Sequence, residues 1–225
     1  MKRVQPTVFH DRSKELLLLL GEELKQPLIA ISQLAEIHNG QEETSAYARQ
    51  ALQTIDNMLL YQRFSSGQLE LQLEPVHVGA TMQEVAQKIT PIASTLGCRI
   101  SLEVAHGLQP VDVDRRLLSS ALLSLWQAFF TTIPQDAEVI CRAKKSSRGI
   151  HVSLQSSGAD LTDIALTRPN FESTQPLKGI AGASADLLTA QAMFVVLGSD
   201  LRKTKTKTMS GFGLTLTPSK QLRMI

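Results

Sequence analysis

The sequence predicts an α+β protein in two parts, an N-terminal helical hairpin (residues 1–67) followed by a larger α/β sandwich (68–225). Three observations carry that reading. Apolar residues recur at alternating steps of three and four through the first part, Ser65-Ser66-Gly67 breaks the helical pattern, and beyond it helix-like and strand-like patterns alternate.

The first helix is expected over 13–38. Leu17, Leu20, Leu24, Ile31 and Leu34 form a heptad seam, with Pro27 in the intervening slot. A proline inside a helix removes a hydrogen bond and clashes with the carbonyl four residues earlier, at a cost of ~3 kcal/mol or more. A helix that keeps Pro27 therefore uses the bend. Asn39-Gly40 is a helix stop, and the pattern resumes at Ala48, Ala51, Ile55, Met58 and Leu59 in a second helix over 43–64. Two helices with one-sided apolar stripes cannot bury them alone. A homodimer that joins 13–38 and 43–64 into a four-helix bundle is the simplest solution.

In the second part, Leu69 to Glu74 alternates apolar and polar residues and leads into a first strand at Pro75 to Val78. A helix is predicted from Thr81 to Ser94, strands at Arg99 to Val104 and Pro110 to Val113, and a helix from Asp114 to Phe130 that opens with an acidic cap. Strands at Ala137 to Ala143 and Ile150 to Leu154 follow, joined by a turn over 144–149. After a long loop come a helix from Ala185 to Leu197 and a closing hairpin through 200–208 and 211–217. Lys203, Lys205 and Lys207 alternate with threonines, which on a strand makes one basic stripe along a solvated outer edge.

Composition narrows the classes. With 225 residues, 43% apolar and 20% charged, the chain has the means to bury a core. A net charge of +2 and the lack of aromatic interleaving in the lysine run point away from nucleic acid. The longest apolar run, Leu16 to Leu20, is too short for a membrane span, so the expectation is a cytoplasmic protein without membrane insertion. Cys98 and Cys141 lack metal-ligand spacing and read as reduced core thiols; no metal site is expected.

The run Gly21-Glu22-Glu23-Leu24-Lys25-Gln26-Pro27-Leu28-Ile29-Ala30-Ile31 resembles the phosphoacceptor helix of the sensor histidine kinases of two-component systems, whose motif reads Ser-His-Glu-Leu-Lys/Arg-Thr-Pro-Leu. Glu22 stands where that family carries its phosphorylated histidine, and none of the five histidines falls in the motif. A carboxylate has no imidazole nitrogen with which to attack the terminal phosphate of ATP. The resemblance places Glu23 where the family has an acid that orients the histidine. It places Gln26 where a polar side chain positions water against the aspartyl phosphate of a response regulator. Glu22 also puts a fixed negative charge at the phosphorylation position, with less charge and fewer oxygens than a phosphoryl group.

The second part resembles the ATP-binding domain of the same family, a Bergerat-type sandwich. Val113-Asp114-Arg115-Arg116-Leu117-Leu118 resembles the start of the helix bearing the asparagine box, Phe171-Glu172-Ser173 the phenylalanine box, and Gly211-Phe212-Gly213-Leu214-Thr215-Leu216-Thr217-Pro218 the last strand. The asparagine box would be Leu123 to Ala128. Leu123 replaces its first asparagine and Gln127 its second, the magnesium ligand, with the amide displaced by about 1.5 Å. In the first glycine box Ser156 takes the place of the aspartate that receives the adenine amine, Gly158 matches a glycine, and Asp160 stands where a glycine belongs. The second glycine box, which meets phosphates at a helix N-terminus, retains Gly182 and acquires Asp186.

The resemblance thus implies a degenerate member of the family. Its expected role is a pseudokinase that binds and regulates a response regulator or a true kinase, with no cofactor required. The alternatives are a response-regulator phosphatase using Gln26, and a divergent kinase that holds Mg-ATP weakly through Gln127, Ser156, Gly158 and Gly182. Few residues precede the first helix, so the signal is expected to arrive through a partner or through the chain's own few domains.

Overall fold

The computed structural model describes residues 69–130, 132–162, 164, 166 and 185–219, preceded by Ile31 and by residues 51, 53–57, 59–61, 63 and 64. Residues before Glu70 and those described from Glu70 onward belong to two compact units. In the first unit, Ile31 and the described residues from Ala51 to Phe64 are helical. Gln53 Nε2 donates to Asn57 Oδ1 one turn later, at 3.0 Å. The buried face follows Ala51, Thr54 and Asn57, whereas Leu59, expected in the apolar stripe, is exposed. Leu59 lies two residues beyond Asn57, about 200° around the helix, and so off the face that is buried within the single chain. The rest of the predicted hairpin, including the helix at 13–38, lies outside the described residues.

The second unit begins with β1 (Glu74–Val76), followed by α1 (Val78–Thr95), β2 (Arg99–Val104) and β3 (Val111–Val113). Then come α2 (Arg115–Phe130), β4 (Glu138–Ser146), β5 (Gly149–Ser156), α3 (Ala185–Val196), β6 (Arg202–Lys205) and β7 (Ser210–Leu216). Five strands form one mixed sheet in the order β2-β4-β5-β7-β6, and β1 pairs with β3 in a small separate ladder. The β2–β4 pair is parallel and the other pairs are antiparallel.

Alternation along the strands decides which face is buried. Val139, Cys141 and Ala143 of β4 share a face with Val152 and Leu154 of β5 and with Phe212 and Leu214 of β7. That face meets the helical layer, where Phe129 of α2 packs edge-on against Phe212. Every residue of α2 from Ala121 to Phe130 is buried. A helix apolar nearly all round needs cover on every side, and α2 obtains it from the sheet through Phe129 and Phe212, from α1 and from α3.

Several element boundaries differ from those predicted. The first strand ends at Val76, and Val78 already opens α1 with His77 as N-cap, because Val78 is a core residue. β4 and β5 run longer than expected, leaving only Ser147 and Arg148 between paired ends. Gly149 makes this tight turn practicable: its φ is +139°, and a methyl group there would lie 2.2 Å from the Leu216 carbonyl oxygen. The basic stripe is interrupted too. β6 stops at Lys205, Lys207 lies in the following turn, and Lys203 Nζ donates to the Leu161 carbonyl.

Candidate functional site

The site predicted from the sequence draws on α2, the end of β5 and the start of α3. Asp114 sets the position of α2. Its Oδ1 accepts the backbone N–H groups of Arg116 at 3.0 Å and Leu117 at 3.2 Å, satisfying two donors that a helix start leaves without intrahelical partners. Burial raises the Asp114 pKa, but hydrogen bonds from Arg116, Gln72 and Leu117 and the Arg116 charge together outweigh it and hold the carboxyl below its ordinary value.

Three turns along α2, Gln127 is 3% exposed, and its Oε1 has no hydrogen-bond partner. Ser156 closes β5 at 0% exposure, and its Oγ also lacks one. Ser156 lies two residues beyond Leu154, so it shares the face of the sheet that meets the helices. Among the described residues, these are the two buried side-chain polar atoms left without a partner. An unsatisfied buried group costs about 1–3 kcal/mol, so each requires an explanation. Both lie at positions that sequence reasoning had singled out.

The remaining candidates are placed differently. Gly158 is packed shut: a methyl group there would lie 2.6 Å from Pro134 Cγ, so the loop after α2 occupies the approach that its missing side chain leaves. The same loop holds the following residues, since Asp160 N–H donates to the Thr132 carbonyl at 3.2 Å. Asp160 is exposed, and its Oδ1 accepts both the N–H and the hydroxyl of Thr162. Those bonds hold its pKa below the ordinary carboxylate value. It is a solvated turn residue here. Leu161 is buried, and Lys203 of β6 clamps its carbonyl.

Asp186 is buried in the first turn of α3. A carboxylate there complements the helix dipole and opposes the approach of a phosphate to the same terminus. Glu22, Glu23, Gln26 and Gly182 lie outside the described residues.

Chemically, the arrangement offers two acceptors. An unpartnered amide oxygen is the hard ligand that magnesium takes, and a serine hydroxyl can accept from an exocyclic amine. Those two residues fit the polar groups of a magnesium nucleotide, whereas Gly158 and Asp186 do not. Sequence reasoning missed the docking of Pro134 and Thr132 onto the 158–162 loop and the clamp from Lys203. Nothing local in the sequence signals contacts across these separations.

No family model matches the chain, and no curated protein sequence matches it. Solved structures do. Acinetobacter baumannii histidine kinase AdeS superposes with a TM-score of 0.59 at 14% identity, over 88% of this chain and 98% of that one. A histidine kinase from Burkholderia phymatum STM815 gives 0.52 at 18% identity, over 96% and 100% of the two chains. The catalytic domain of histidine kinase ThkA gives 0.52 at 15%, over 67% of this chain and all of its own. At these identities the likeness speaks to architecture: the sandwich that begins at Glu70 has the fold of a histidine kinase catalytic domain.

Proposed function

We propose that this protein acts in two-component signalling as a pseudokinase, binding and regulating a response regulator or a true histidine kinase rather than phosphorylating itself. The observation that carries this reading is the state of the nucleotide-site positions on a kinase-like sandwich. Gly158 is filled against Pro134, Asp160 is turned into its own loop, and a buried carboxylate, Asp186, stands at the start of α3. Glu22 at the phosphoacceptor position supports the same reading from the sequence. In this proposal residues 1–67 form the dimerising hairpin, 68–225 the kinase-like sandwich, and a partner docks near Glu22, Glu23 and Gln26.

A second reading is favoured by one observation. Gln127 Oε1 and Ser156 Oγ are buried and unpartnered, as residues awaiting a ligand would be. ShkA, which matches with a TM-score of 0.55 at 18% identity over 92% of this chain and 46% of its own, was solved in complex with AMPPNP. Under that reading Gln127 and Ser156 would hold Mg-ATP weakly. The bound nucleotide would supply a phosphoryl group or serve as a regulatory ligand.

Thermal unfolding with and without millimolar Mg-ATP separates the two. A ligand at 100 times its dissociation constant stabilises by about 2.7 kcal/mol, a shift of several degrees for a domain of this size. No shift, together with capture of a purified receiver-domain protein, is the expected result. A clear shift abolished by Gln127→Leu would overturn the nucleotide-free reading. Faster loss of an aspartyl phosphate from the regulator, silenced by Gln26→Ala, would make the protein a phosphatase.

A further inference from the structure

We propose that Asp114 is a two-sided latch that fastens the linker ahead of β1 to the first turn of α2, one carboxylate oxygen holding the linker while the other keeps the helix cap. The two carboxylate oxygens divide the work. Oδ1 caps α2 through the N–H groups of Arg116 and Leu117. Oδ2 accepts the backbone N–H of Gln72 at 3.0 Å, from a segment 42 residues earlier in the chain. Arg116 grips both, with Nη2 2.9 Å from Oδ2 and Nε 3.3 Å from Oδ1.

The geometry follows from the small ladder. β1 pairs Glu74 with Val113, so Gln72 falls beside the residues that open α2. The side chain of Asp114, only 1% exposed, supplies the acceptor there. Otherwise the linker runs in the open. Leu71 is 39% and Leu73 65% exposed, so apolar burial does little to hold it. The charge-assisted hydrogen bond from the exposed Gln72 to the buried Asp114 carboxylate therefore fastens this stretch to α2 ahead of β1. A force or partner acting on Leu69 to Leu73 must break it before moving the linker, and in doing so leaves a buried carboxylate short of one of its ligands.

The test rests on the division between the two oxygens. Asp114→Asn keeps a carbonyl oxygen for the cap, where asparagine is as good as aspartate. It presents an amide N–H₂ to the Gln72 N–H, turning acceptor into donor. Gln72→Pro deletes the donor from the other side. In the full-length chain, amide exchange at Gln72 should be protected in the parent. It should accelerate roughly 10- to 100-fold in Asp114→Asn, the factor for losing one hydrogen bond to a charged group, while Arg116 and Leu117 amides stay protected. A glutamyl endopeptidase should cut after Glu70 faster in both variants. An unprotected Gln72 amide in the parent, or an Asp114→Asn variant whose linker exchanges and is cut like the parent, would overturn the latch. Equal deprotection of Arg116 and Leu117 would reduce Asp114 to an ordinary helix cap and overturn it too.

Discussion

Phe129 and Phe212 meet edge-on, with ring centroids 5.9 Å apart and planes at 74°, and this contact joins the helical layer to the sheet. Both rings are fully buried. Phe129→Ala should cost about 3–5 kcal/mol by opening a cavity in the core and lower the melting midpoint by roughly 10 °C for a domain of this size. Circular dichroism melting measures it. A loss of only a degree or two would show that the two layers are held elsewhere.

Gln127→Met and Ser156→Ala remove the two unpartnered acceptors without opening much space. Each should leave the ligand-free protein unchanged or raise its stability by up to about 1 kcal/mol, because nothing is lost except an unsatisfied group. Urea unfolding midpoints report it. A drop of 2 kcal/mol or more would mean that the oxygen already has a partner, such as an ordered water.

Asp114 makes a pH prediction with a definite sign. Its carboxyl is held below the ordinary value of 3.8, so its contribution is complete above that pH and disappears as the pH falls through the lower folded-state value. Stability of the parent should therefore decline below about pH 4. Asp114→Ala should cost about 1–2 kcal/mol at neutral pH through the lost cap and show a shallower acid limb. Equal pH dependence in parent and variant would remove Asp114 as a source of it.

Gly149 is a backbone requirement. With φ at +139° and the Leu216 carbonyl oxygen 2.2 Å from where a methyl would sit, Gly149→Ala should destabilise by more than 1 kcal/mol. Ser147→Ala in the same turn should be nearly neutral. A chemical denaturation series on the two variants checks the contrast.

Much of the sandwich was legible because its signals are local. The acidic cap and apolar run of α2, the alternation in β4 and β5, and the Gly-Phe-Gly strand each declare themselves within a few residues. Boundaries slipped where a tertiary contact decided them: burial of Val78 drew α1 three residues earlier than Thr81, and the register of β4 with β5 shortened the turn to Ser147 and Arg148. Of the candidate site, the family resemblance singled out Gln127 and Ser156, but nothing local in the sequence shows that their oxygens lack partners or that Pro134 fills the space beside Gly158, because both depend on contacts across the fold.

The two sides of β4 acquire their neighbours on different terms. β5 follows through a two-residue turn, a closure that takes microseconds, whereas β2 reaches β4 only after the chain has passed through β3 and α2, with Glu103 and Arg142 separated by 39 residues. The hairpin is thus expected to belong to the folding nucleus and the parallel edge to form after the barrier. Substitutions at the Glu103–Arg142 pair should then hasten unfolding and leave the folding rate almost untouched. The lifetime of the native sheet would depend on the strand that joins it last.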